Sequence, residues 1–423
     1  MIERIADLLE RGRFWLVVRW RRRWRLTPRG RFVFASLGIL LIFFISSLAG
    51  SLARDPQPAK GLPAAGSSPT SPRPTVRPDR PSSSAGRGFT LVASGDVLTH
   101  GPVLRQANAY GRRVNRSYDF RPMFAGIRPI VSKADLAVCH LEVPLSRDGR
   151  GISSWPAFNA PPQLAGALRW AGYDACSTAS NHAMDQGAQG VAATLAVMDR
   201  AGLRHAGLAR NPSEANRQTI LAVRGLRIGL LSYTYGLNSG PLPPSQRWLV
   251  KTIDAGRVLT DARAARQAGA QFVVVLLHWG QEYRTPPTPS QRDLARRLLA
   301  APQVDLVLGH HAHVVQPIQR VGRKWVAFGM GNSLSNQTPS CCAPGAQDGV
   351  LVKVTVGERA GRLHVRDVSY VPTWVEHPSF RILPVPSALA DRSLPPATRR
   401  ALKASQDRTR RAVGPAPRPA RLG

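Results

Sequence analysis

Short apolar runs, bounded by glycine, proline and polar residues, recur along residues 89–385. Short runs rich in β-branched residues predict buried strands, and longer amphipathic stretches between them predict helices. Strand–helix alternation followed by a final group of strands predicts a mixed α/β sandwich. Strands are predicted at 89–93, 135–140, 173–179, 219–223, 227–233, 272–277, 304–308, 324–328, 349–356 and 363–370, and helices at 162–171, 187–201, 254–268 and 290–300.

Five of the predicted strands lead into side chains that can bind a metal ion. Because ligand sites in α/β sheets collect at the carboxyl edge of the strands, we expect these side chains to converge. Oxygen and imidazole ligands suit Mn²⁺, Fe²⁺ or Zn²⁺. The set is too large for one tetrahedral zinc ion and fits two ions bridged by a carboxylate. The predicted metal ligands are Asp96, Glu142, Asn181, His182, His278, His311 and His313.

Each ligand candidate also has a simpler interpretation. Asp96 follows a glycine and could cap a turn, whereas Glu142 could be an exposed loop acid. His278 could be a core histidine bound to a backbone carbonyl. The occurrence of such residues at successive strand ends favours the site. No role is assigned to His310, although the chain has only ten histidines and three of them lie within residues 310–313.

The N-terminal segment predicts membrane attachment. Residues 1–31 are rich in arginine and tryptophan, and residues 32–52 carry no charged side chain. A charge-free stretch of this length can cross a bilayer as a helix, and the preceding arginines place the N-terminus in the cytoplasm. The expected localisation is therefore the cell membrane, with one span and an extracytoplasmic C-terminal domain. Cleavage as a signal peptide within the small residues 46–53 is the alternative.

Composition divides the rest of the chain into three parts. Residues 53–88 alternate proline with serine, glycine and alanine, which predicts a linker without a core. Residues 89–385 form the predicted domain. The segment 386–423 is rich in proline and arginine, and we expect a tail that is frayed or wrapped on the surface.

The formal net charge of +33 is extreme for a chain of 423 residues. Such a charge is typical of proteins that contact an anionic polymer, an anionic membrane surface or nucleic acid. No nucleic-acid-reading motif accompanies it, so nucleic acid is not an expected partner. The charge agrees with an anionic polymer as partner, and equally with the composition of an arginine-rich proteome.

The four cysteines fall into two pairs of positions. Cys139 and Cys176 lie within predicted strands, where buried thiols are expected. Cys341 and Cys342 are adjacent in a loop rich in proline and glycine. If the domain is outside the cytoplasm, this loop can hold a disulfide or a redox-sensitive pair.

An ordered series of motifs carries a resemblance to a known family over about residues 89–370. The series resembles the CapA family of capsule and poly-γ-glutamate biosynthesis proteins, whose domain is similar to the calcineurin-like metallophosphoesterases. The motifs are Gly95-Asp96 with His100, Leu141-Glu142, Phe158-Asn159-Ala160-Pro161, Ser180-Asn181-His182-Ala183-Met184-Asp185, His278-Trp279-Gly280-Gln281-Glu282-Tyr283, residues 309–313, and Gly329-Met330-Gly331-Asn332.

This resemblance implies a layered α-β-β-α sandwich of the metallo-dependent phosphatase type, with the site at the strand ends. It implies catalytic roles for His100, His182 and Asp185, with Asp185 holding an imidazole in its tautomer. Two motifs depart from the phosphoesterase pattern. The first-motif histidine is four residues after the aspartate, at His100, and the bridging aspartate of the second motif is replaced by Glu142.

Two classes of function are consistent with the sequence. In the first, the protein is a membrane-anchored participant in the biosynthesis or export of capsule or poly-γ-glutamate, with other capsule-synthesis subunits as expected partners. In the second, it is an extracytoplasmic, metal-dependent phosphoesterase that acts on a phosphomonoester or phosphodiester. Whether the protein turns over a substrate is left open by the sequence.

Overall fold

The computed structural model describes residues 87–415 and 417–419, which contain fifteen strands, ten α-helices and one 3₁₀ helix at Pro244–Gln246. The strands are β1 (Gly88–Val97), β2 (Leu136–Leu141), β3 (Ala175–Ser177), β4 (Arg204–Ala206), β5 (Thr219–Val223), β6 (Leu226–Thr234), β7 (Phe272–His278), β8 (Leu306–His310), β9 (Ile318–Val321), β10 (Lys324–Ala327), β11 (Asn332–Leu334), β12 (Asp348–Arg359), β13 (Arg362–Val375), β14 (Ile382–Pro384) and β15 (Arg418–Pro419). The helices are α1 (Gly101–Arg112), α2 (Arg121–Phe124), α3 (Arg128–Val131), α4 (Gln163–Ala171), α5 (Gly187–Arg200), α6 (Pro212–Asn216), α7 (Ala255–Gln267), α8 (Pro289–Ala300), α9 (Val385–Ala390) and α10 (Pro396–Val413).

The strands form two sheets. The nine-stranded sheet has the order β14-β13-β12-β1-β2-β3-β4, with β11 paired to β1 and β15 paired to β13. The six-stranded sheet has the order β5-β6-β7-β8-β10-β9. Strands β1 to β4 are parallel, and so are β6, β7, β8 and β10. These parallel strands bring successive carboxyl ends to one edge of each sheet, as the sequence predicts.

The cores show that the two sheets pack face to face with helices outside. Leu91 and Ala93 join the core between the sheets, whereas Val92 joins the core shared with α1, α2 and α4. In β7, Val274 packs between the sheets and Val275 packs against α7 and α8. This alternation along each strand requires two apolar faces, which explains the near-continuous apolar runs. The expected α-β-β-α layering is thus observed.

Local turn and cap chemistry sets several boundaries. A hairpin forms between β5 and β6, where Arg224 and Gly225 both have positive φ. Asp254 accepts a hydrogen bond of 2.7 Å from the backbone N–H of Arg257 and caps α7. Thr288 caps α8 through a capping box.

The C-terminal segment is better ordered than its composition suggests. Helix α10 packs against β12 and β13, and its last residue, Val413, is buried in the core between the sheets. Leu402 is buried with residues of α9. Arg408 of α10 makes two hydrogen bonds, of 2.8 and 2.9 Å, to the buried carboxylate of Asp348. Instead of a frayed tail, the described part of 386–423 completes one end of the domain.

The structure pairs all four cysteines. Cys139 and Cys176 are register partners on β2 and β3 and form a buried disulfide, so the expectation of buried free thiols is wrong. Their Cα atoms are 4.4 Å apart, because neighbouring strands bring register partners this close. Cys341 and Cys342 form the disulfide that was predicted for their loop.

The N-terminal expectations fall on residues that the structure does not describe. The basic segment 1–31, the predicted span 32–52 and nearly all of the linker 53–88 lie outside the described residues. Among residues 87–415 and 417–419, no helix has the length and apolar character needed to cross a membrane.

Replacing Arg408 with methionine should destabilise the protein, because the Asp348 carboxylate would stay buried without its cation. We expect the free energy of unfolding to fall by about 2–3 kcal/mol, somewhat less than for a fully buried pair because Arg408 is partly exposed. Urea unfolding of the full chain measures this. Lys403→Met in the same helix removes an exposed pair with Asp407 and should leave the free energy of unfolding nearly unchanged. Equal losses for the two variants would contradict this account of α10.

Candidate metal centre

The centre is built around Asp96, near the end of β1. Its backbone can turn there because Gly95 has no side chain; a Cβ would lie 2.0 Å from the carbonyl oxygen of Gly331. The Asp96 carboxylate is fully buried. It is 3.1 Å from Nδ1 of His310 and 3.2 Å from Nδ1 of His313. Its other contacts include a backbone hydrogen bond of 3.0 Å from the N–H of His311. Asp96 therefore fixes the histidine segment that follows β8.

The histidine segment needs an unusual backbone. A Cβ at Gly309 would lie 1.9 Å from the carbonyl oxygen of Phe328, so only glycine fits at that position. His311 and His313 then adopt φ values of 85° and 53°, a region that few non-glycine residues occupy. This conformation turns the chain sharply after β8 and lets two imidazoles, of His310 and His313, and the backbone N–H of His311 surround one carboxylate.

Glu142, directly after β2, is the second acid of the centre. It is buried, and neither carboxylate oxygen has a hydrogen-bond partner among the described residues. Its Oε1 lies 3.9 Å from Nε2 of His278 and 3.7 Å from Nε2 of His313. Burial raises the pKa of Glu142 well above its usual range. A buried, unpartnered carboxylate surrounded by imidazoles is a position where a cation is strongly favoured.

A chain of hydrogen bonds orders the imidazoles at the far side of the centre. The amide oxygen of Asn181 can only accept, so Nε2 of His278 donates to it at 2.8 Å. In the neutral ring Nδ1 of His278 then accepts from Nε2 of His140 at 2.9 Å. Nδ1 of His140 in turn accepts from the Ser177 hydroxyl at 2.8 Å. Burial lowers the pKa of both His140 and His278 well below the usual value, which keeps these rings neutral, the form in which imidazole binds a metal.

The predicted catalytic residues form a separate group at the rim. Nδ1 of His182 lies 2.7 Å from Oδ2 of Asp185, so the carboxylate holds the ring with Nε2 free of the pair. Phe158 packs edge-on against the rings of His182 and His100, at centroid distances of 4.8 and 5.4 Å. Nδ1 of His100 accepts a backbone hydrogen bond of 3.3 Å from Asn336. Desolvation and the nearby imidazoles lower the pKa of His100 to about 3.

The Asp96 carboxylate and the His313 imidazole are the groups of the centre whose charged forms are favoured. Burial opposes ionisation of Asp96, but hydrogen bonds from His310 and His313 hold its pKa well below the usual value. Burial likewise disfavours a charged His313, yet Glu142 and Asp96 raise its pKa to about 9. His313 and the Asp96 carboxylate therefore form a buried ion pair near neutral pH.

The chemistry of the donors fits divalent cations. Within each of four groups, the ligand atoms lie within 4.8 Å of one another. Besides both oxygens of Glu142, Nε2 of His310 and Nδ1 of His311 are buried without a hydrogen-bond partner in the part of the chain that the structure describes. Each of the four groups shares at least one member with another, which suits two neighbouring ions as well as one. The groups are Asp96-His140-His310, His140-Glu142-His278, Asp96-Glu142-His313 and Glu282-His311-His313.

Five of the seven predicted ligands, Asp96, Glu142, His278, His311 and His313, belong to the ligand groups, and Asn181 lies beside them through its hydrogen bond with His278. His310, which received no role, is buried against Asp96 and belongs to a ligand group, because β8 ends there with its side chain turned inward. His140 was missed, although it precedes Glu142 by two residues and so shares its face of the extended chain. Glu282 is a further exposed candidate. His182 and His100 belong to none of the four ligand groups.

A comparison with protein families identifies the relationship of the chain. A family model described as "Bacterial capsule synthesis protein PGA_cap" matches residues 90–337. The chain belongs to this family. The match covers the whole described centre, from Asp96 to Asn332.

Curated relatives agree with the family. The chain is 26% identical over 256 residues to the capsule biosynthesis protein CapA of Bacillus anthracis, covering 59% of this chain and 60% of that protein. It is 26% identical over 231 residues to the PGA biosynthesis protein CapA of Bacillus subtilis, covering 54% and 60%. A probable polyglutamine synthesis accessory protein of Mycobacterium tuberculosis is 26% identical over 210 residues, covering 47% and 55%. The matches thus span about 55–60% of the length of these relatives.

Solved structures give weaker likenesses. A phosphatase of Mycoplasma pneumoniae has a TM-score of 0.41 at 13% identity, covering 68% of this chain and 94% of that chain. The calcineurin-like phosphoesterase YfkN of Bacillus subtilis has a TM-score of 0.39 at 12% identity, covering 77% and 98%. These TM-scores are too low for an activity to be transferred.

Metal content should depend on the inner residues of the centre. Glu142→Gln, His310→Ala and His313→Ala should each lower bound Mn²⁺, Fe²⁺ or Zn²⁺ at least tenfold, since even residues that only support a ligand contribute about 10–100-fold to affinity. Elemental analysis after dialysis measures this, with circular dichroism to verify folding. His364→Ala, in β13 outside every ligand group, is the matched control. Normal metal content in a folded His310→Ala protein would restore the expectation that this residue has no role.

Proposed function

We propose that the protein is a membrane-anchored, extracytoplasmic component of the biosynthesis or export of capsule or poly-γ-glutamate, and that it depends on divalent metal at the strand-end centre. Membership in the capsule synthesis family supports the process. The observation that carries the metal dependence is the buried carboxylate of Glu142, unpartnered among imidazoles. Other capsule-synthesis subunits are the proposed partners, and an anionic polymer is the proposed substrate or cargo.

The inner residues would bind the metal ions, and the rim residues would contact the substrate. Asp96, Glu142, His140, His278, His310 and His313 supply the ligand atoms, with Asn181 and His311 beside them. A bound divalent ion supplies Lewis-acid chemistry and lowers the pKa of a water molecule. Asp185 holds the His182 ring so that Nε2 can accept or donate a proton toward the substrate. Asn238, whose Nδ2 lies 3.4 Å from that Nε2, helps to orient it.

Hydrolysis of a phosphoester is the second candidate, favoured by the His182–Asp185 pair at the rim of a possible two-ion centre. In this case His100, whose ring also packs against Phe158, would lie at the same rim. Its lowered pKa keeps the imidazole neutral. The two functions differ in whether the isolated protein turns over a phosphoester.

The two functions are separated by one pair of measurements. The purified full-length protein with Mn²⁺ is assayed for hydrolysis of bis-p-nitrophenyl phosphate and p-nitrophenyl phosphate, and cells carrying Glu142→Gln or Asp185→Asn are assayed for surface polymer. The biosynthetic proposal expects loss of polymer without hydrolysis above the protein-free rate. Hydrolysis that Asp185→Asn lowers about 10²–10⁴-fold, as loss of acid–base assistance does, would favour the phosphoesterase. Normal polymer in both variants would contradict the biosynthetic proposal.

The proposed topology places residues 1–31 in the cytoplasm and the domain outside. It rests on the arginine excess before the charge-free residues 32–52. Alkaline phosphatase fused after Gly88 should be active, since this reporter requires export, and a cytoplasmic fluorescent reporter at the same position should be dark. The reverse pattern would overturn the topology. The fusion should remain with membranes; release into the medium would indicate a cleaved signal peptide.

A further inference from the structure

A cavity separate from the metal centre lies where the edge strands of the two sheets approach each other. Strand β4 ends the nine-stranded sheet, and β5 ends the six-stranded sheet. The Thr219 hydroxyl joins the edges by donating to the carbonyl of His205 at 2.9 Å. The cavity has a volume of about 240 Å³, and no member of the four metal-ligand groups lines it.

Two of the cationic side chains in this cavity are already neutralised. Arg210 pairs with Asp199 at 2.6 Å and with Glu214 at 2.5 Å. Lys251 pairs with Asp261 at 2.8 Å. Because these carboxylates already have cationic partners, they do not need a cation from a ligand. Arg210 is held by its two carboxylate partners, so we assign it no role in binding a ligand.

Two further arginines of the cavity have no ion pair within the described residues. Arg204, the first residue of β4, and Arg217, just before β5, both line the cavity and are exposed. Around the Arg210 network, the three arginines that line the cavity outnumber the two carboxylates of Asp199 and Glu214, which leaves a net charge of +1 there. Each presents a planar set of donors that matches the geometry of a carboxylate.

The cavity also has an acceptor that needs a donor. Gln218 lines it, and the Oε1 atom of this side chain is buried with no hydrogen-bond partner among residues 87–415 and 417–419. A buried amide oxygen left unsatisfied is costly, and an N–H group from a ligand would satisfy it. Trp248 adds an apolar wall whose ring nitrogen is already bound to the Ser245 carbonyl.

We propose that this cavity binds an acidic, amide-linked chain. Carboxylates of the chain pair with Arg204 and Arg217, a backbone amide N–H donates to Gln218, and methylene groups pack on Trp248. The volume is below the roughly 300–1,000 Å³ of pockets that enclose a drug-sized ligand. The cavity therefore takes a short segment, and the remainder of the chain stays outside. This site goes beyond the proposed metal-dependent function and does not require a bound metal.

Calorimetric titration of the full-length protein with glutamate oligomers tests the proposal. The probes are γ-linked and α-linked triglutamate, with glutarate as an acid that lacks an amide and inorganic phosphate as a simple anion. We expect the oligomers to bind at least tenfold more tightly than glutarate or phosphate. The comparison of the two linkages identifies the source of the chain.

Three variants assign the binding to the cavity. Arg204→Gln combined with Arg217→Gln should weaken oligomer binding at least tenfold, since a hydrogen bond to a charged group typically contributes about a factor of ten or more. Gln218→Leu should remove the preference for the oligomers over glutarate. Arg359→Gln combined with Arg362→Gln removes the same charge from the exposed β12–β13 hairpin and should leave binding within about twofold. Circular dichroism and Mn²⁺ binding of each variant should equal those of the wild-type protein.

Several outcomes would overturn the proposal. Unchanged oligomer binding in the folded Arg204/Arg217 variant would exclude the cavity. Equal losses in the Arg359/Arg362 control would indicate general attraction to a basic surface. Equal affinity for phosphate, glutarate and the oligomers would exclude recognition of an amide. Because Mn²⁺ binding is measured separately, failure here leaves the metal-dependent function standing, and failure of the metal centre leaves this site standing.

Discussion

The buried carboxylate of Asp96 joins the two sheets at the centre of the molecule. It lies near the end of β1 in the nine-stranded sheet, and it receives hydrogen bonds from the segment that follows β8 in the six-stranded sheet. A buried carboxylate is stable only when its oxygens have partners. Here the partners are His310, His311 and His313, and the last two of these residues have positive φ. The close packing at Gly95 and Gly309 is what permits the two strand ends to meet.

This arrangement explains how a site can be rigid although most of its residues lie just past strand ends. The strands beneath it are buried on both faces, so the positions of their carboxyl ends are fixed by two cores. The side chains are then fixed by one another, as in the chain from Ser177 through His140 and His278 to Asn181. Glu142 is the exception, since none of these hydrogen bonds reaches its carboxylate. The centre thus combines imidazoles that are held by hydrogen bonds with one carboxylate, Glu142, that none of these hydrogen bonds reaches.

Sequence patterns predicted the site residues that come directly after a strand along the chain. Apolar runs located the strands, and the polar residues after them located Asp96, Glu142, His278 and His313. Patterns did not identify His140, because a histidine inside an apolar run has the same local appearance whether it is a core residue or a ligand. His310 received no role from the sequence, because its contact with Asp96 depends on how the two sheets pack. Neither residue could be assigned until the opposite sheet was in place.

Two further features differ from what composition predicts, because they depend on packing between residues that are distant in sequence. The C-terminal segment has the composition of a tail, yet a buried carboxylate on β12 needs Arg408, and this requirement holds α10 on the domain. The buried cysteines pair because β2 and β3 happen to align them in register. In both cases the information lies in a partner far away in sequence, which a local pattern cannot contain.

The metal centre and the basic cavity are structurally separate but share one short piece of chain. Thr178 and Ala179 hydrogen-bond to Ala206 and Ser232, which line the cavity. Two residues later the same chain supplies Asn181 to the metal centre. Two residues span at most about 7 Å, so the cavity floor and the centre are held within a short, fixed distance.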